Sequence, residues 1–117
     1  MRSLIESVAV TILCFGSLMP AQAAAESGKQ IYAQGVPDKL PSCAACHGAR
    51  AEGVATFPRL AGLPAAYVVE QMQAYADGSR PNAVMQPIAR LMDAAQISAV
   101  ADYVASEASP FLQAGTS

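Results

Sequence analysis

Two of the three cysteines in this 117-residue chain and its single histidine fall within five consecutive positions, Cys43-Ala44-Ala45-Cys46-His47. No other feature limits the chain so strongly, because two thiols and an imidazole held this close must serve one ligand or one reaction. The third cysteine, Cys14, lies in a different kind of segment. Val8 to Leu18 is an apolar run of 11 residues, preceded by Arg2 and followed by Pro20 and the small-x-small pattern Ala21-Gln22-Ala23, the layout of an export signal cleaved after Ala23. A membrane-spanning helix wants about 20 apolar residues, and Thr11, Gly16, Ser17 and Pro20 interrupt this run, so an uncleaved anchor is the poorer reading. Leu13 stands where a lipid-modified Cys14 would want a small neighbour. Residues 1–23 are therefore read as a signal peptide, residues 24–109 as one domain, and residues 110–117 as a mobile tail. The mature protein, 94 residues long, is expected to be exported to the periplasm with no integral membrane span.

Composition removes several alternatives. With 53% apolar residues the chain is too hydrophobic for disorder, and with seven Lys and Arg against nine Asp and Glu, net charge −2, it has no basic surface for nucleic acid. An exported chain with two remaining cysteines would ordinarily carry a disulfide. The histidine directly after the second cysteine argues otherwise. A structural zinc site needs four ligands and this segment offers three, while a thioredoxin-type dithiol expects a strand–helix–strand setting that Ser42 to Gly48 lacks. Cys-x-x-Cys-His is the attachment signature of haem c. Two intervening residues let one helical turn set both sulfurs under the porphyrin vinyl groups as thioethers, and His47 is then placed to ligate the iron.

The elements follow from caps and periodicity. Ser27 to Gln34 reads as a short helix burying Ile31 and Tyr32 and stopping at Gly35. Pro64 to Asp77 reads as a helix with Pro64 in its first turn, Gly78 after its end, and a stripe of Val68, Met72 and Tyr75. Asp93 to Ser106 reads as another, with Asp93 and Gln96 forming a capping box and Ile97, Val100, Ala101 and Val104 on one face. No stretch alternates long enough for a strand, so the class is all-α. Because alanine supplies much of the apolar content, the core has little bulk of its own. A haem plate would fill it, and the chain without haem is expected to be largely unfolded.

The sixth iron ligand has three candidates, since no second histidine exists: Met72, Met85 and Met92. Met72 lies on the helix stripe, where a core role is the simpler account. Met92 closes a short apolar turn before Asp93. Met85 lies among Pro81, Asn82 and Pro87, too interrupted for a helix stripe and suited to a loop approaching the far haem face.

Gly28-Lys-x-Ile-Tyr32, Cys43 to Gly48, Phe57-Pro-Arg-Leu-Ala-Gly62 and Met85-x-x-Ile-Ala89 occur in an order that resembles the monohaem class I cytochromes c, and within them the bacterial cytochrome c4 and c5 group. The resemblance implies a small all-α fold wrapped around one covalent haem c held through Cys43 and Cys46. It implies His47 and Met85 as iron ligands, with Met92 in reserve. It also implies that the Pro58 carbonyl accepts a hydrogen bond from the other nitrogen of His47, and that Leu60 lies on the haem face. Arg59 and Arg80 are candidates for the haem propionates or else solvated surface arginines, and Tyr67 or Tyr75 either points at a propionate or fills core. Leu63 stands where relatives often carry Gln, so hydrogen bonding in that loop is expected to differ.

The expected function is one-electron transport, not enzymatic catalysis. The carrier would run between redox protein partners, a donor dehydrogenase or reductase and an acceptor oxidase or reductase, as a monomer or weak dimer. A cytochrome subunit fixed in a dehydrogenase or oxidase complex is the alternative. A five-coordinate sensor or catalyst fits less well, because there the haem motif belongs near the C-terminus of a helix bundle.

Overall fold

The computed structural model describes residues 27–107 and, in isolation, Gly16. The signal-peptide and tail assignments on residues 1–23 and 110–117 lie outside the described residues, as do both ends of the expected 24–109 domain. Five helices follow one another: α1 Gly28–Gln34, α2 Ala44–His47, α3 Ala65–Asp77, α4 Met85–Arg90 and α5 Ala94–Ser106. Among the described residues extended pairing is limited to two isolated bridges, Val36 with Leu40 and Val54 with Phe57. No helix among them is long and apolar enough to cross a membrane.

Side-chain caps begin the helices that the sequence marks most clearly. The Ser27 hydroxyl accepts from Gln30 N at 3.1 Å, and Gly35, at φ 70°, ends α1 by donating to Ile31 O. At α5 the capping box is complete: Asp93 Oδ1 accepts from Gln96 N at 2.8 Å, and Gln96 Oε1 accepts from Asp93 N at 3.0 Å. Pro64 stands just outside α3, extended at ψ 133°, with its carbonyl accepting from Val68 N. This moves the expected start by one residue, because a proline fixes φ but not ψ.

The fold is built on the pairing of α1 with α5. Ile31 and Tyr32 are fully buried, as are Ala101 and Val104, with Ile97 and Val100 nearly so. The Tyr32 and Tyr103 rings meet with centroids 5.4 Å apart. Gly28 permits this close crossing, since a methyl group there would run into the Ala99 carbonyl. Helix α3 packs on α5, and α4 packs on α3.

Helix α4 corrects the expectation of a loop around Met85. Pro87 is the third residue of α4, still in the first turn, where its missing N–H breaks no intrahelical bond. Asn82, not a residue of the helix, supplies the cap: its Oδ1 accepts from Val84 N at 2.9 Å and from Met85 N at 2.8 Å.

Removing the α5 cap in Asp93→Ala is expected to lower stability by about 1 kcal/mol with no change in the haem spectrum, as checked by urea unfolding of the haem-loaded protein.

Candidate haem site

The Cys43–His47 segment is fastened to α1 at both ends. Before it, the Ser42 hydroxyl donates to Ala33 O at 2.8 Å; after it, the Tyr32 hydroxyl donates to Gly48 O at 2.6 Å in the buried interior. Burial, reinforced by the nearby Cys43 and Glu52, pushes the Tyr32 phenol well above its ordinary range, so it stays a donor. Within the segment His47 N donates to Cys43 O at 2.9 Å, closing one helical turn that holds both sulfurs and the imidazole together. Cys43 and Cys46 are free thiols, not a disulfide. Burial, with a smaller push from Cys46, raises the Cys43 thiol.

His47 is 7% exposed. Its Nδ1 lies 2.8 Å from Pro58 O. A carbonyl can only accept, so Nδ1 carries the proton of this bond and Nε2 is the nitrogen left to face a ligand. The Phe57 ring stands edge-on beside the imidazole, centroids 6.1 Å apart. The loop that brings Pro58 to His47 is itself pinned: Ala51 O accepts from both Leu60 N and Ala61 N at 2.9 Å, and Gly62 N donates to Val104 O at 2.9 Å. Leu63, the departure from the resembled pattern, is an apolar neighbour of the core, and backbone bonds hold the loop instead.

One cavity of about 660 Å³ receives all of these groups. Cys43, Cys46, His47, Pro58, Arg59, Leu60, Arg80 and Met85, the eight residues picked out as site candidates, all line it. So do Tyr67, Tyr75, Met72 and Met92, which makes Met72 a cavity-facing residue as well as a neighbour of the core. Arg80 is held at the rim: its guanidinium donates to Gln71 Oε1 at 2.6 Å and lies 4.7 Å from the Tyr75 ring centroid. Asn82, Val84 and Gln71 also reach the cavity. The sequence reading assigned none of them a role, although Asn82, three residues ahead of Met85, had the position of a cap.

These residues fit a haem. A size within the roughly 300–1,000 Å³ of ligand pockets, mostly apolar walls, two free thiols one turn apart and an imidazole with an uncommitted nitrogen are what covalent attachment and iron ligation require. Among the described residues no group of three His, Cys, Asp or Glu side chains is arranged to hold a metal ion by itself.

The cytochrome c family model matches residues 25–108. The chain belongs to the cytochrome c family, with haem c as its cofactor, and the domain stands among the electron-transfer cytochromes. It is 40% identical over 85 residues to cytochrome c-552 of Acidithiobacillus ferridurans, covering 72% of this chain and 37% of that protein. It is 49% identical over 69 residues to a thiosulfate dehydrogenase electron acceptor of Thiomonas intermedia, covering 57% of this chain and 32% of that protein. The solved cytochrome c4 of Acidithiobacillus ferrooxidans superposes with a TM-score of 0.66 at 40% identity, over 72% of this chain and 50% of that one. The chain thus spans about a third of the length of these two curated relatives.

Because the cavity reaches into the space between α3, α4 and α5, a chain made without haem attachment is expected to lose most of its helical circular dichroism, while the haem-loaded protein keeps it.

Proposed function

We propose that this chain is a periplasmic electron carrier whose iron is ligated by His47 and Met85. The observation that carries this reading is the pairing at the cavity. His47 is locked by Pro58 with Nε2 free, and Met85 opens a helix that reaches the same cavity from a different support, α4 being packed on α3 and α2 on α1. When bound, the haem supplies a one-electron Fe(III)/Fe(II) couple, and a thioether ligand favours the reduced form and raises the potential. The protein's residues do the rest. Pro58 fixes the imidazole tautomer and its orientation. Leu60, Ile88 and Val100 wall the cavity with hydrocarbon, which keeps water off the ligands. Arg80, clamped by Gln71 and Tyr75, and Arg59, on the Pro58 loop, place positive charge at the cavity for the propionates. With His47 and Met85 both holding the iron, outside ligands would have no ready entry, which suits a carrier and not a catalyst. The apolar run and small-x-small pattern in residues 1–23 support export.

A test of the ligand set is the weak thioether-to-iron band at the red end of the oxidised spectrum. Met85→Ala is expected to abolish it and Met92→Ala to retain it; loss of the band only in Met92→Ala would transfer the role to Met92, and carbon monoxide binding readily to the reduced wild type would mean an open sixth position.

A second reading concerns the partner. The Thiomonas intermedia relative is named for accepting electrons from thiosulfate dehydrogenase, which favours a sulfur-oxidising dehydrogenase as this chain's donor, either as a diffusing partner or in a lasting complex. Such a dehydrogenase, given thiosulfate, is expected to reduce the oxidised protein within seconds, as followed in the visible spectrum. Gel filtration of the mixture at moderate salt then separates a transient encounter from a fixed subunit.

A further inference from the structure

Met85 is the first residue of a helix only six residues long. An isolated helix of that length is far below what holds itself together in water, so the direction in which Met85 leaves the backbone depends on what fastens α4 from outside. Two fastenings are present. At its far end, Arg90 Nε donates to Ala76 O at 2.9 Å, in the last turn of α3. At the near end stands Asn82. Its Oδ1 accepts from Val84 N at 2.9 Å and from Met85 N at 2.8 Å, while its own carbonyl accepts from Gln86 N at 3.0 Å. One residue thus holds three consecutive backbone N–H groups around the methionine. Asn82 also lines the cavity that Met85 enters.

We propose that Asn82 is a positioning residue for the sixth ligand: by clamping the Val84 and Met85 amides it holds the Met85 thioether in place and sets how firmly the sixth position is closed to outside ligands. This rests on Met85 being that ligand. Without the clamp the first turn of α4 frays, Met85 leaves the iron more often, and a competing ligand gains by the same factor. The chemistry needs only an acceptor oxygen at this position, two bonds out from Cβ. An Asp side chain offers it as well as Asn does, whereas Ala offers none.

Imidazole titration of the oxidised, haem-loaded protein tests this, because imidazole competes directly with the thioether. Asn82→Ala is expected to bind imidazole about tenfold tighter than wild type and to weaken the thioether band. Asn82→Asp is expected to restore both to near wild type, although its added charge lowers the reduction potential. Asp93→Ala controls for general loss of stability, since it removes a comparable cap from α5 and leaves α4 untouched; its imidazole affinity should not change. Wild-type imidazole affinity in Asn82→Ala overturns the proposal, as does an equal shift in Asp93→Ala or a failure of Asn82→Asp to restore. Should Asn82→Ala not accumulate, Asn82→Ser against Asn82→Asp decides the same point, the shorter side chain being expected to bind imidazole more tightly. A thioether band that survives Met85→Ala would instead defeat the ligand assignment, so the two failures are distinguishable.

Discussion

The bond from His47 Nδ1–H to the Pro58 carbonyl is the contact on which the rest of the site depends. It joins the cysteine turn to the following loop, chooses the tautomer that leaves Nε2 free, and sets the plane of the ring. A carbonyl can hold it only if the loop cannot drift. The two amides that converge on Ala51 O, and the bond from Gly62 to Val104 O at the end of α5, supply that constraint. Ala51 adopts φ 56° while fully buried, a left-handed conformation costly for a residue with a Cβ. The turn tolerates this where its carbonyl serves both amides at once, so local strain is offset by the geometry it secures for the imidazole.

The division of labour among the helices follows. Helices α1 and α5 form the part of the domain with a protein core of its own, and the cysteine turn is fastened to α1 by Tyr32 and Ser42. Helices α3 and α4 form the other wall, joined to each other through Arg90 and Ala76. The histidine thus belongs to the half fastened to α1, whereas Met85 belongs to the α3–α4 half that lines the cavity. A Met85 ligand held from this half would be the more easily released of the two, and Asn82 caps the turn from which it would leave.

Much of this was legible in the sequence. Caps and stop signals placed α1 and α5 to within a residue, because Ser27, Gly35, Asp93 and Gln96 act locally and need nothing from the rest of the chain. All eight chosen site residues reached one cavity, because the pentad and the Phe57–Gly62 stretch carry constraints of spacing that few folds satisfy. Helix α4 was not legible. Its first turn is fastened by a residue outside it and its end by an arginine reaching another helix, and a six-residue element with Pro87 inside looks broken to any periodic pattern. The Val68, Met72 and Tyr75 stripe is visible in the sequence, but what covers it is not. Periodicity reports which face is apolar, not whether protein or cofactor covers it, and here only Val68 is buried by protein while Met72 and Tyr75 stay half-buried beside the cavity.

The same distinction bears on why a 6% aromatic, alanine-rich chain can support so specific a site. A domain that filled its own interior would need bulky side chains on α3 and α4, and they would occupy the space the ligands require. Here Tyr67, Met72 and Tyr75 of α3 line the cavity instead of filling it, and alanines make up much of the rest of that helix, which leaves the space open. Covalent attachment through Cys43 and Cys46 fills it permanently, since a cofactor that cannot dissociate is in effect part of the core. In a carrier that meets its partners one after another, the cofactor then stabilises the fold at every encounter while the helices hold its ligands still.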